Sequence, residues 1–276
     1  MKINKTNILL PTDFSDNAWS AIVYALKLYA EEECAFYFLH STKIKASGMS
    51  DKLLRVMNEN AKKELIELKE MAETSNANPN HDFHIILSSE DIKASIETAI
   101  KKYHINLVIM GTKGATGAEE IFFGSNTVTI IKKMRLCPVL VVPEEYDFVI
   151  PKQIAFPTDF NRFYNHIELN PLKNLATLFN SKIRIVHIKK EDQLNDIQEY
   201  NMVTLKNYLE EFDTSFHWLA DYTKKTNIIN DFIEELQIDM LVMVNYKHSF
   251  IESVINEPII SKIGFHCIIP FLSIPD

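Results

Sequence analysis

Glycine is scarce in this chain of 276 residues: there are six. Four of those six, Gly111, Gly114, Gly117 and Gly124, crowd into the stretch from Leu107 to Thr127. Cysteine is sparser still. Cys34, Cys137 and Cys267 show no CxxC spacing and sit in or beside apolar sequence. That favours reduced, buried thiols over disulfides or a zinc site. The nine histidines are scattered, with no HxxxH or HExxH pair to build a metal helix. No apolar run reaches the ~18 residues that span a bilayer. Asp13 and Asp16 interrupt the run that begins at Ile8, so no signal-type h-region follows the N-terminus. The expected location is therefore cytoplasmic, with no membrane partner. Basic residues are in deficit, 29 against 37 acidic, for a net charge of −8. This argues against a nucleic-acid partner, which calls for a basic face.

What is present is ordinary globular composition, 46% hydrophobic and 24% charged. The length accommodates one large domain or two of usual size. Asn7 to Leu10 reads as a short buried strand. Apolar residues then recur at helical spacing from Ala18 to Tyr29, with Ser15 or Asp16 as the cap. Phe36 to His40 is a second strand, Asp51 to Glu73 a long charged helix, Phe83 to Ile86 a third strand and Ile92 to Tyr103 a helix. Leu107 to Met110 is the fourth strand and runs into the glycines. Asn126 to Met134 is helical, and Pro138 to Pro143 is a proline-bracketed fifth strand. Alternation of this kind implies an α/β fold with a doubly wound parallel sheet.

The chain then starts again. Pro157-Thr158-Asp159-Phe160 repeats Pro11-Thr12-Asp13-Phe14, and both copies follow an apolar strand. Ile183 to His187 matches the second strand, including its terminal histidine (His40 and His187). Phe216-His217 answers Phe83-His84, Asp239 to Val244 answers Asn106 to Met110, and Pro270 to Pro275 answers Pro138 to Pro143. The period is a whole domain, so this is a tandem duplication and not a solenoid. The expected domains are 1–146 and 147–276.

Glycines concentrated after a strand signal positive φ angles or a close backbone approach. Two readings of Leu107 to Thr127 stand side by side. In one, loop amides and a helix start cradle a phosphate; in the other, the glycines make a tight strand-to-helix connection without a ligand.

Two copies of this pattern resemble the universal stress protein family, in a tandem form covering essentially the whole chain. The first repeat carries the family's nucleotide-binding signature in full: Gly111, Gly114, then after nine residues Gly124-Ser125. The resemblance implies two Rossmann-like domains of the adenine nucleotide alpha hydrolase-like type and a stress-response protein holding ATP (or AMP/ADP). Mg²⁺ would be held through the phosphates. It places Asp13 and the backbone at Ser41 at the adenine and ribose end, Met110 and Gly111 along the nucleoside, and Gly114, Gly124, Ser125 and Asn126 at the phosphates, with Pro11 and Thr12 also among the nucleotide-binding residues. Lys113 reads either as a phosphate neutraliser or as a solvated loop lysine, and His40 as a core residue closing its strand.

The second repeat departs from the signature. Asn245 and His248 stand for the first two glycines and Pro258-Ile259 for glycine-serine, while Glu252 and Glu257 add negative charge. A proline has no amide to offer and an isoleucine no hydroxyl. Repeat two therefore reads as a structural or partner-facing half. The chain has no GxSxG, no Cys–His motif and no Walker A, so no catalytic residue is assigned. The alternatives are a protein-interaction module without nucleotide, or a weak ATPase. Family members pair their closing strands as dimers. Val139 to Val142 and Phe271 to Ile274 are accordingly expected to pair within the chain as an intramolecular pseudo-dimer, which would cover both sheet edges. A further homodimer and the identity of a protein partner are left open.

Overall fold

The structure is a computed structural model; it describes residues 5–42, 51–75, 78–112, 124–189, 193–220, 231–246 and 268–276. The chain divides into two compact units, Met1–Phe148 and Val149–Asp276.

In the first unit the strands are β1 (Thr6–Pro11), β2 (Cys34–Ser41), β3 (His81–Ser88), β4 (Leu107–Gly111) and β5 (Val139–Val142). The helices are α1 (Asp16–Leu28), α2 (Asp51–Ser75), α3 (Ile92–Tyr103) and α4 (Ser125–Lys133). The strands pair in parallel in the order β3-β2-β1-β4-β5. Ile8, Leu9 and Leu10 on β1 and Val108 and Ile109 on β4 are completely buried. Continuous apolar strands are what a sheet covered on both faces requires. Each such side chain contributes about 1.5–3 kcal/mol by leaving water. α1 turns Ala18, Ala21, Ile22 and Ala25 inward, and Ser15 is its cap, accepting from the Ala18 amide at 3.3 Å. Asp91 caps α3 in the same way, at 3.0 Å from the Ala94 amide.

In the second unit the strands are β6 (Gln153–Pro157), β7 (Lys182–Lys189), β8 (Thr214–Ala220), β9 (Met240–Asn245) and β10 (Phe271–Pro275). They pair in parallel as β10-β9-β6-β7-β8. This repeats the order of the first unit, strand for strand. Its helices include α5 (Asn170–Phe179) and α6 (Asp196–Tyr208).

The ladders refine the internal alignment. His40 pairs with Leu87 and His187 with Trp218, so Phe83 is matched by Thr214 and not by Phe216. The sequence match of Phe83-His84 to Phe216-His217 is two residues out of register. A slip of two keeps each side chain on its face, so alternation alone does not detect it. α5 begins much later after its strand than α1 does. Between them lies an irregular segment, 161–169, whose apolar residues hold no helical period.

Both units wind away from their first strand in two directions. The reversal falls between β1 and β4 in one and between β6 and β9 in the other. At such a switch point the carboxyl ends of the strands leave a crevice.

Candidate functional site

The first wall of the crevice in repeat one is the turn after β1. Thr12 extends the sheet by one bond, its amide donating to the Leu39 carbonyl at 2.8 Å. Its Oγ1 accepts from the Phe14 amide at 3.0 Å. Phe14 sits in the left-handed region with φ 66°, a conformation that costs a non-glycine residue roughly 1–3 kcal/mol. His40 offsets that cost. Its Nδ1 lies 2.8 Å from the Thr12 carbonyl and its ring 4.5 Å from the Phe14 ring. A carbonyl only accepts, so Nδ1 carries the proton. Asp13 is exposed at the apex, and its Oδ1 accepts from the Ser15 amide at 3.2 Å and the Ser15 hydroxyl at 2.6 Å.

Repeat two builds this turn again. Phe160 has φ 55°, its amide donates to Thr158 Oγ1 at 3.0 Å, and His187 Nδ1 meets the Thr158 carbonyl at 3.0 Å. The identity of Pro-Thr-Asp-Phe in both repeats therefore has a backbone cause that needs no ligand.

The second wall is the segment after β4. Met110 and Gly111 are buried. A Cβ on Gly111 would lie 2.7 Å from Asn17 Oδ1 and 2.8 Å from Asn17 Cγ, so this glycine is required by the packing of α1 on the strand. Two bonds then stitch the ends of the glycine loop together. Thr127 Oγ1 donates to the Gly111 carbonyl at 3.0 Å, and the Gly124 amide donates to the Thr112 carbonyl at 2.5 Å. They deliver the start of α4 to the mouth of the crevice. Gly124 precedes that helix with φ −58° and ψ 154° and provides no side-chain cap. Ser125 and Asn126, at the first two helical positions, are exposed. The first amides of a helix have no intrahelical partner, and the helix dipole makes this end an anion site.

The structure thus gathers Pro11, Thr12, Asp13, Met110, Gly111, Gly124, Ser125 and Asn126 at one end of the sheet. Ser41, at the same end one strand further out, is half-buried and donates to the Glu90 carbonyl at 2.6 Å. Gly114 and Lys113 lie outside the described residues, as do His248, Glu252, Glu257, Pro258 and Ile259. Among the described residues no group of three His, Cys, Asp or Glu side chains could hold a metal ion. Of the described cysteines, burial pushes the Cys34 and Cys137 thiols up to about 12, where neither is a nucleophile at neutral pH.

Repeat two corrects one correspondence. Leu107 pairs with Ile8 and Met240 with Ile154, while Gly111 pairs with Val142 and Val244 with Ile274. Val244, not Asn245, therefore stands at the level of Gly111, and Asn245 stands at Thr112. The position that matches Asn17, Phe163, lies in the irregular 161–169 segment and not on a helix.

Three residues escaped the sequence reading: Asn17, Thr112 and Thr127. Asn17 is a buried polar residue on the otherwise apolar stripe of α1, and that mismatch was the available signal. Thr112 is fully buried, and its Oγ1 has no hydrogen-bond partner among the described residues. Thr127 lay inside the glycine stretch, but nothing in its spacing reveals a bond back to Gly111.

Residues 5–143 match the model of the family described as "Universal stress protein family". A universal stress protein of Methanocaldococcus jannaschii is 30% identical over 141 residues, spanning 49% of this chain and 80% of that protein. A second from the same organism is 30% identical over 158 residues, 51% of this chain and 97% of that protein. The crystal structure of a universal stress protein from Archaeoglobus fulgidus superposes with a TM-score of 0.72 over 98% of this chain and 96% of that one. At 16% identity it shows a shared fold.

Proposed function

The chain belongs to the universal stress protein family, a family of stress-response proteins, and from that premise we propose that its first repeat is a binding site for an adenine nucleotide. The observation that supports this most is a juxtaposition at the β1/β4 switch point. An exposed carboxylate, Asp13, stands on one wall, and an uncapped helix start, Gly124 to Asn126, stands on the other. A carboxylate accepts from ribose hydroxyls, and helix-start amides with the Ser125 hydroxyl donate to phosphates. With no metal-holding cluster among the described residues, a magnesium ion would arrive on the phosphates of ATP. The protein would then report nucleotide occupancy to a partner from a cytoplasmic location.

No residue is assigned to activate a water, and binding with at most slow hydrolysis is the expected chemistry. Pairing of β5 with β10 inside one chain is carried as part of this proposal. Cysteines introduced at Leu140 and Leu272, oxidised and read by mass under denaturing conditions, test it.

The direct experiment is mass spectrometry of ligand released from the purified protein, followed by calorimetric titration with ATP and AMP. The expected result is one nucleotide per chain. Absence of detectable ATP binding at millimolar concentration would sink the reading and leave the protein-interaction module in its place.

A further inference from the structure

Repeat two has the same switch point as repeat one, yet its mouth is spanned by the chain's own side chains. Tyr246 is the first residue after β9, and its hydroxyl donates to Asp159 Oδ1 at 3.0 Å, across from one wall to the other. Tyr164 comes from the irregular segment after β6. Its hydroxyl is 2.9 Å from Thr158 Oγ1 and its ring packs edge-on against Phe156 at 5.4 Å. The Arg162 guanidinium lies over both phenol rings, 5.4 Å from that of Tyr164 and 4.7 Å from that of Tyr246. It is held there by the buried Glu168 carboxylate at 2.9 Å and by Asp276 at 2.8 Å. Gln198 on α6 donates to the Asp159 carbonyl at 2.9 Å, and Asn201 to the Phe160 carbonyl at 2.8 Å. The wall residues therefore have their bonds already made, and a cation lies over the two rings that fill the space.

We propose that Arg162, Tyr164 and Tyr246 are a built-in occupant of the β6/β9 cleft. They satisfy Thr158 and Asp159 and hold repeat two permanently shut. Burial first, then the Tyr164 phenol and the Asp159 carboxylate, pushes the Tyr246 hydroxyl well above the ordinary phenol range, so it remains a donor to Asp159. The occupant also accounts for the delayed start of α5. A helix beginning where α1 does would leave no segment to carry Arg162 and Tyr164 into the cleft. The proposal concerns repeat two alone and is tested without nucleotide, so it stands or falls separately from the reading of repeat one.

The test compares the full chain with Tyr246→Ala and Tyr246→Phe by amide hydrogen exchange and by thermal melting with and without 4-methylphenol. In Tyr246→Ala the amides of residues 159–169 are expected to exchange at least ~10-fold faster, since the segment loses its closing contact. Millimolar 4-methylphenol should raise the Tm of that variant by refilling the vacated space, leaving wild type unmoved. Tyr246→Phe keeps the ring and loses one bond, so its exchange should rise by less and the phenol should not act on it. Unchanged protection of 159–169 in Tyr246→Ala, or a Tm indifferent to the phenol, would overturn the proposal. If Tyr246→Ala does not fold, unchanged exchange in Tyr246→Phe overturns it in the same way.

Discussion

Ser125→Pro isolates the helix start of α4 from everything else in the first repeat. Proline is favoured at the first helical position, because its missing N–H is one that the helix does not use. It demands an extended residue before it, and Gly124 already has ψ 154°. The substitution is therefore expected to fold normally while removing both the amide and the hydroxyl of Ser125. If each donates to a phosphate oxygen, each is a charge-assisted bond of ~1.5–3 kcal/mol. Losing the pair then weakens ATP binding by roughly 10²- to 10⁴-fold, at about 1.4 kcal/mol per decade. Ser125→Ala removes only the hydroxyl and should cost the smaller, single-bond share. The assay is calorimetric titration with ATP at fixed salt, with circular dichroism and a thermal melt to certify the fold. A folded Ser125→Pro that binds ATP as tightly as wild type refutes the assignment of this helix start to the phosphates.

Two further outcomes are expected. Gly111→Ala should lower the stability of the first unit by about 1–3 kcal/mol through overpacking against Asn17, and Asn17→Ala should relieve part of it. Urea unfolding of the double-mutant cycle reads this coupling, and an equal penalty with and without Asn17 counts against the packing argument. Acid should destabilise the second unit through His187, whose imidazole burial holds below the ordinary histidine range. The unfolded chain then takes up the proton first, so stability is full above about pH 6.5 and falls as the pH drops through and below it. His217, held down by burial and then by the Arg184 charge, adds the same sign. Thermal melts from pH 7.5 to 5 should show a shallower fall in His187→Gln, and an unaltered slope would contradict the assignment.

The alternation of strands and helices, parallel pairing and the two-fold repetition were legible in the sequence. They rest on apolar runs and on a four-residue motif too long to recur casually. At the candidate site, placement was legible where residue type marks a local feature: Asp13 after a strand end, and Ser125 beginning a helix. What could not be read were contacts between side chains distant in sequence. The Thr127 bond to the Gly111 carbonyl, the Asn17 approach to Gly111 and the Tyr246 bond to Asp159 depend on which elements the fold brings together. The ladder register of β3 and β8 was lost for a related reason. With both edge strands half-exposed, a shift of two residues leaves the same pattern of apolar and polar positions.

The duplication is a control on the glycines, and it divides them. Repeat two forms the same sheet with Val244 where repeat one has Gly111, so the strand itself does not require glycine. Repeat one requires it because Asn17 occupies the space a Cβ would enter, which is a reason internal to the fold. Gly111 is therefore no witness for a ligand. Gly124 is different in kind. Its amide is spent on the Thr112 carbonyl, and what it withholds is a side chain that would cap α4. Residues with a capping oxygen are favoured at that position for stability. Repeat one forgoes the cap and leaves Ser125 and Asn126 exposed at the end of the sheet where Asp13 stands. Among the described residues, the case for an anion thus rests on the start of α4, which Gly124 leaves without a side-chain cap.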